Sequence, residues 1–204
     1  MLFDDTYKTI ESRSEGIYKD KGSKFIAIAL PVRSEEEVKA KLDEIRSEYH
    51  DARHHCFAYI LGADKSASRF NDDGEPSGTA GRPIMGQINS NDLTNILVVV
   101  VRYFGGTKLG VRGLINAYKS STSEAIASSS IIEKTIDEIY LITFDYAAMN
   151  QVMQIVKDPD VKILMQDFAL HCKLEYMVRK SYADAIRSRL SSIKGVGLKY
   201  LRSG

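Results

Sequence analysis

The sequence predicts a mixed α/β protein of two domains, and three observations lead to this fold class. Segments 23–32 and 95–103 carry apolar residues on both strand faces, which is typical of strands buried inside a sheet. Other segments place apolar residues at the spacing of amphipathic helices. Residues 135–204 then run in the order βαββαβ, the ferredoxin-like pattern. We therefore predict an N-terminal α/β domain over 1–134 and a C-terminal ferredoxin-like domain over 135–204.

The N-terminal domain is predicted to combine strands with helices. Apolar runs predict four strands, at 7–10, 23–32, 55–61 and 95–103. Ser34 and Glu37 form a capping box, and apolar residues then follow at spacings of four, three and four, which predicts an amphipathic helix. The apolar positions of this helix are Val38, Leu42, Ile45 and Tyr49. Two further helices are predicted, around 84–88 and over 113–127.

The C-terminal domain is predicted to hold short strands and two helices. Three strands are predicted at 136–144, 161–166 and 198–201, with a helix at 147–157. Alternating apolar residues predict one further half-buried strand, with its inward side chains at Phe168, Leu170, Cys172, Leu174, Tyr176 and Val178. The opposite side is predicted to be an open docking surface of His171, Lys173, Glu175, Met177 and Arg179. Ser181 and Asp184 are predicted to cap the second helix.

The composition limits the classes of function. Lys and Arg number 28 against 27 Asp and Glu, so any nucleic-acid binding must rest on a local patch rather than on bulk charge. No apolar run reaches the roughly 18 residues of a membrane-spanning helix. The first residues lack the basic start and apolar core of a secretory signal, and Cys56 and Cys172 make no disulfide framework. We therefore expect a cytoplasmic protein with no membrane partner.

The first unusual segment, 69–83, is rich in Gly, Pro and acidic residues and predicts an ordered loop that leads into a helix. Its candidate functional residues are Asp72, Asp73, Glu75, Ser77, Thr79 and Arg82. The carboxylates could hold a hard cation, but their spacing departs from that of a calcium loop, and the alternative is that they cap backbone amides. Ser77 lacks the Gly-x-Ser-x-Gly setting of a nucleophile. No metal, no cofactor and no catalytic residue is predicted.

The second unusual segment, 102–113, is a Gly-rich turn between a buried strand and a helix. No acidic residue occurs from Leu93 to Ser123, so this is the strongest basic patch of the chain. The candidate anion-binding or nucleic-acid-binding residues are Arg102, Tyr103, Phe104, Gly105, Gly106, Lys108, Arg112 and Lys119. Free backbone amides and a helix N-terminus favour an anion at such a turn. The spacing fits neither the P-loop nor the dinucleotide fingerprint, and the alternative is that the glycines only satisfy backbone geometry.

Adjacent His54, His55 and Cys56 have the composition of a metal-ligand cluster. Alternation along a strand sends His54 and Cys56 to one face and His55 to the other, so one face offers two ligands at most. Zinc normally takes three or four protein ligands. We therefore interpret these side chains as packed or hydrogen-bonded.

Four segments, 22–27, 54–59, 72–84 and 102–110, resemble in order the pattern of the YigZ/IMPACT family. The resemblance covers about residues 1 to 130, and the rest looks like the C-terminal domain of the bacterial YigZ branch. It implies an N-terminal domain like the second domain of a small-subunit ribosomal protein, a fold shared with elongation factor G. It implies a C-terminal domain similar to that factor's ferredoxin-like last domain.

The same resemblance bears on function. The eukaryotic IMPACT branch inhibits activation of the amino-acid-starvation kinase through the kinase's activator, with a separate N-terminal interaction domain that we do not expect in this chain. Our first hypothesis is a cytoplasmic protein that binds RNA, the ribosome or a translation-associated protein, without turnover, and regulates translation. The alternative is an enzyme acting on a phosphorylated or carboxylated small molecule, with the 72–83 loop supplying acids. Both hypotheses expect the two unusual loops to adjoin in space.

Overall fold

The computed structural model of the protein describes residues 5–169 and 171–203. Their contacts divide into two units, one over 7–134 and one that joins 135–203 to Asp5 and Thr6. The second unit thus includes N-terminal residues that the sequence assigned to the first domain. That the two units are independently folding domains stays a prediction. No helix in the described parts of the chain is long and apolar enough to cross a membrane.

The first unit is built on a five-stranded antiparallel sheet. The strands of this unit are β1 (Thr6–Ile10), β2 (Ser14–Asp20), β3 (Ser23–Pro31), β4 (His54–Leu61), β5 (Ala67–Asn71), β6 (Ile96–Tyr103) and β7 (Ile131–Thr135). The helices are α1 (Glu35–Glu48), α2 (Gly81–Ser90) and α3 (Gly110–Ala127). The sheet has the order β2-β3-β6-β4-β5, and β1 pairs separately with β7. The sequence did not predict β2, β5 or β7.

The five-stranded sheet is covered on both faces, as the continuous apolar strands predict. Val98 and Val100 of β6 belong to a core formed with α2 and α3. Leu97, Val99 and Val101 alternate with them and belong to a second core formed with α1. The helix α1 begins as its capping box predicts, because the Ser34 hydroxyl oxygen accepts the Glu37 N–H at 3.3 Å.

The second unit confirms the predicted βαββαβ order. Its elements are β8 (Asp137–Phe144), a 3₁₀ turn (Tyr146–Ala148), α4 (Met149–Val156), β9 (Val161–Phe168), β10 (Cys172–Arg179), α5 (Lys180–Ser191) and β11 (Gly197–Ser203). The sheet is antiparallel, with the order β11-β8-β10-β9. Buried residues of α4 and α5 share one core with the inward side chains of β10, so both helices cover the same face. On the other face Lys173 is exposed.

One strand of the second unit is predicted to start four residues too early, although Cys172, Leu174, Tyr176 and Val178 are buried in β10 as predicted. The alternating segment from Phe168 to Val178 is a hairpin, because Phe168 ends β9 and pairs directly with Cys172 of β10. Directly paired residues share a face of the sheet, so the alternation continues in phase through the reversal and gives no sign of the turn. Phe168 is 40% exposed rather than buried. Leu170 lies outside the described residues.

The predicted cap of the last helix is also wrong. The helix α5 begins at Lys180, and Arg179 stands at its N-cap position without a side-chain cap. The carboxylate of Asp5 instead lies at the start of this helix, where it accepts hydrogen bonds from the Arg179 guanidinium at 2.6 and 2.8 Å. Hydrogen bonding to Arg179, and to a smaller extent to Ser181, holds the pKa of Asp5 well below its usual range.

Candidate functional site

Two loops of the first unit contain the predicted site residues. The acidic loop, residues 72–80, connects β5 to α2, and the basic turn, residues 104–113, connects β6 to α3 and includes the first residues of that helix. The helices α2 and α3 pack against each other on one face of the sheet. Both loops therefore lead into helices that lie on the same face of the sheet.

The acidic loop uses its first carboxylate to cap a helix. The two oxygens of Asp72 accept the backbone N–H of Gly78 at 2.8 Å, of Ala80 at 3.0 Å and of Gly81 at 2.8 Å. The helix α2 begins at Gly81, and its N-cap residue Ala80 has no side chain that caps these amides. Asp72 thus performs the amide capping that the sequence analysis gave as the alternative to cation binding.

The second carboxylate of the acidic loop fastens it to β4. One oxygen of Asp73 accepts the backbone N–H of His55 at 2.6 Å, and the carbonyl of Asp73 lies 2.8 Å from Nδ1 of His54. Because a carbonyl only accepts hydrogen bonds, Nδ1 is the protonated nitrogen of neutral His54. Asp73 adopts φ +42°, and Gly74 follows at φ +84°, which is why the tight turn needs a glycine there.

A buried cluster joins the acidic loop to the end of β6 and to α3. Glu75 Oε1 accepts a hydrogen bond from Arg102 Nη1 at 2.5 Å and one from the Tyr118 hydroxyl at 2.8 Å. Glu75 and Arg102 are only 9% and 7% exposed, so this ion pair is shielded from water. The thiol of Cys56 lies 3.3 Å from the Tyr118 oxygen, and burial raises the pKa of Cys56 to about 12 and that of Tyr118 further still.

Arg102 lies in a buried ion pair. The sequence placed it among the cations that meet an anionic ligand, but its charge is balanced inside the protein by Glu75. Its guanidinium carbon also lies 5.4 Å from the centroid of the Phe25 ring and 5.7 Å from that of Phe104. Arg102 therefore acts first as a structural residue at the junction of the two loops.

The other candidate cations face solvent. Lys108, Arg112 and Lys119 are all exposed, and no ion pair reaches any of them within residues 5–169 and 171–203. Phe104, beside them in sequence, is 57% exposed. The helix α3 has no acidic residue in its first turn, and its N-cap residue Leu109 makes no side-chain cap. The positive end of the helix dipole and the unpaired cations Lys108 and Arg112 therefore meet solvent in one segment, and Lys119 lies further along α3.

Two glycines of the basic turn have a geometric function as well. A Cβ on Gly105 would lie 1.9 Å from the backbone of Gly22, so only glycine allows this close approach of two turns. Gly106 has φ +87°, in the left-handed region. The backbone interpretation and the anion interpretation thus apply to the same residues.

The remaining predicted residues have various settings. Ser77 and Arg82 are exposed, whereas Thr79 is buried and donates its hydroxyl to the Pro76 carbonyl at 2.6 Å. The Tyr103 hydroxyl donates to Asp51 at 2.7 Å, and this bond raises the pKa of Tyr103 to about 12.

A cavity of about 390 Å³ lies where β4 starts and β6 ends. Its lining residues are Asp51, Ala52, Arg53, His54, Arg102, Tyr103 and Phe104. Antiparallel pairing places His54 directly opposite Arg102, which brings the segment before β4 next to the basic turn. The sequence analysis missed Asp51 and Arg53, because only strand pairing shows that they adjoin Tyr103 and Phe104.

Comparison with known proteins adds the family. Residues 21–126 match the Impact N-terminal domain. The chain is similar to the IMPACT family member YigZ of Escherichia coli (strain K12), with 36% identity over 72% of this chain and 74% of that protein. It is 29% identical to the IMPACT family member YvyE of Bacillus subtilis (strain 168), over 92% of this chain and 87% of that protein.

A solved structure shows the same likeness in three dimensions. The crystal structure of a hypothetical protein superposes with a TM-score of 0.76 and 29% identity, covering 97% of this chain and 98% of that one. The overlap extends over both units of the present structure. With the acidic loop, the basic turn and the matched N-terminal domain all in place, this chain belongs to the IMPACT family.

Proposed function

We propose that this protein binds single-stranded RNA without chemical turnover and acts in the cytoplasm in association with translation. The observation that carries the proposal is the basic turn, where Lys108 and Arg112 are exposed and without ion-pair partners in the described chain, next to the exposed ring of Phe104. Lys119 of α3 is exposed and without an ion-pair partner in the same described residues. Membership of the IMPACT family is consistent with a role in translation regulation.

Charge and ring together suit a nucleic-acid strand better than either feature alone. Phosphates along the strand attract unpaired cations, and each phosphate contact releases a condensed counterion. Unstacked bases gain energy by stacking on exposed aromatic rings, with little dependence on sequence. The uncapped start of α3 adds backbone N–H groups that favour a phosphate oxygen.

The acidic loop gives the enzyme alternative less support. That alternative requires carboxylates free to act on a bound small molecule. Asp72 is bonded to three backbone amides, and Glu75 is buried between Arg102 and Tyr118. The proposal therefore gives these carboxylates a structural function only.

The test measures the affinity for a short single-stranded RNA of mixed sequence as a function of salt. Each phosphate contact that is lost lowers the slope of log affinity against log salt by about 0.7 for a single strand. We expect this decrease in Lys108→Ala and in Arg112→Ala, together with weaker binding. Lys39→Ala is the matched control, because Lys39 is an exposed lysine of α1 in the same unit.

Two other outcomes would contradict the proposal. If both basic-turn variants keep the affinity and the slope of Lys39→Ala, the basic turn does not bind RNA. If they lose thermal stability while the slope is unchanged, the two cations serve the fold.

A further inference from the structure

The cavity at the start of β4 and the end of β6 has the composition of a site for one nucleotide. It lies at the lower end of the roughly 300–1,000 Å³ range of small-molecule pockets, at about 390 Å³. Two aromatic side chains, two arginines, a histidine and an aspartate line it. We infer that this cavity takes one unstacked base of single-stranded RNA together with the adjoining phosphate, an inference that rests on the proposed function.

The ring of Phe104 is held in place before any ligand arrives. The Arg102 guanidinium lies 5.4 Å from the centroid of the Phe25 ring and 5.7 Å from that of Phe104, and Phe25 in turn packs edge-on against Tyr118 at 5.2 Å. Arg102 is fixed by its buried bond to Glu75. Phe104 is still 57% exposed, so a base can stack on its ring. Because the contact with Arg102 already orders this ring, the stacking costs less side-chain entropy.

The cation that serves this cavity is Arg53. Arg102 is neutralised by Glu75, whereas Arg53 is exposed and has no ion-pair partner in the described sequence. An arginine guanidinium binds phosphate with two parallel hydrogen bonds, which makes it suited to orient a phosphodiester. Arg53 therefore adds one phosphate contact to those of the basic turn.

Two polar groups in the cavity are partly used by the protein and partly free. His54 uses Nδ1 on the Asp73 carbonyl, and its Nε2 makes no hydrogen bond within the described residues. Asp51 accepts the Tyr103 hydroxyl through Oδ1 and is exposed, so its carboxylate can accept further hydrogen bonds. With the His54 proton on Nδ1, Nε2 is an acceptor as well, and an exocyclic amino group of a base is a donor that matches both side chains.

The test measures how binding affinity depends on the ring of Phe104, on the charge of Arg53 and on the presence of bases in the probe. The probes are a short single-stranded RNA and a strand of the same length that carries the ribose-phosphate backbone without bases. We expect Phe104→Ala to weaken binding of the intact RNA by roughly 5- to 150-fold, since stacking contributes that much per base. The salt slope should not change, because the substitution removes no charge. Phe104→Tyr keeps a ring and should restore most of the affinity.

Phe104→Ala should leave the affinity for the base-free strand almost unchanged. Arg53→Ala should weaken both strands and lower the salt slope by about 0.7. Phe70→Ala and Arg69→Ala are matched controls, because both side chains are exposed, lie on β5 of the same unit and line no part of this cavity.

The outcomes separate this inference from the proposed function. If Lys108→Ala and Arg112→Ala lose RNA affinity while Phe104→Ala and Arg53→Ala behave like their controls, the proposed function stands and the nucleotide site is wrong. If Phe104→Ala weakens the intact and the base-free strand equally, the ring does not stack on a base and the site is again wrong. If the unmodified protein binds neither strand, both the proposed function and the nucleotide site are overturned.

Discussion

The acidic loop and the basic turn look alike in sequence, because both are rich in glycine and in charged residues. In the structure they differ in where the charges go. Asp72, Asp73 and Glu75 all bond to groups of the protein itself, whereas Lys108 and Arg112 bond to no acidic group in the described chain. The comparison teaches that a charged motif points to a ligand only when the fold leaves its charges unused.

The largest expected effect is at the buried ion pair. Glu75→Ala leaves the Arg102 guanidinium buried without its partner, so we expect a loss of about 3–5 kcal/mol in the free energy of unfolding. Urea-induced unfolding measures this loss. Glu133→Ala, at an exposed glutamate of the same unit, is the control and should change stability by less than about 0.5 kcal/mol. Equal stabilities of the two variants would contradict the structural assignment of the acidic loop.

A smaller loss is expected at the helix cap. Asp72→Ala removes the acceptor of three backbone N–H groups at the start of α2, and we expect a loss of about 2 kcal/mol. Asp72→Asn keeps one acceptor oxygen and should fall between Asp72→Ala and the unmodified protein. The same urea titration measures both. An asparagine variant as unstable as the alanine variant would show that the negative charge, rather than the acceptor geometry, is what α2 requires.

In the second unit, Asp5 is a charge that bonds to the protein itself, and its contribution to stability can be tested by varying the pH. Hydrogen bonds from Arg179 and Ser181 keep the pKa of folded Asp5 below its unfolded value of about 3.9. The carboxylate therefore stabilises this unit above that pH, and the stabilisation is lost as the pH falls towards the folded pKa. We expect the stability of the unmodified protein to decline more steeply in acid than that of Asp5→Asn. Parallel curves for the two proteins would rule out Asp5 as a used charge.

The smallest effect is expected at the basic turn. Lys108→Ala and Arg112→Ala remove exposed side chains without ion-pair partners in the described chain, so each should change the free energy of unfolding by less than about 0.5 kcal/mol. Urea unfolding of these variants beside Glu75→Ala measures the contrast directly. A loss above 1 kcal/mol in either variant would place that cation among the charges that the fold uses.

Much of the fold follows from the sequence because burial leaves a periodic pattern. The segment of β6 is apolar at every position from Ile96 to Val101, and the structure buries it on both faces. The strand β5 was not predicted, because as an edge strand it exposes Ser68, Arg69 and Phe70 and carries no alternation. Edge strands are specified by their neighbour rather than by their own hydrophobicity.

The candidate site was predictable only in part, for a similar reason. Local composition identified the basic turn, since an acid-free stretch with four cations is visible in the chain itself. The ion pair of Glu75 with Arg102 joins residues 27 positions apart, and nothing in the sequence selects Glu75 over its acidic neighbours. The cavity residue Arg53 adjoins Phe104 through strand pairing, which only the folded sheet reveals.

The bond between Asp5 and Arg179 has a consequence for how the protein is made. The two residues are 174 positions apart, so the N-cap residue of α5 pairs with a carboxylate that leaves the ribosome long before the helix does. All of residues 7–134 are synthesised while Asp5 still lacks its partner. A rearranged chain in which residues 135–203 precede Asp5 would bring the two residues together early in synthesis.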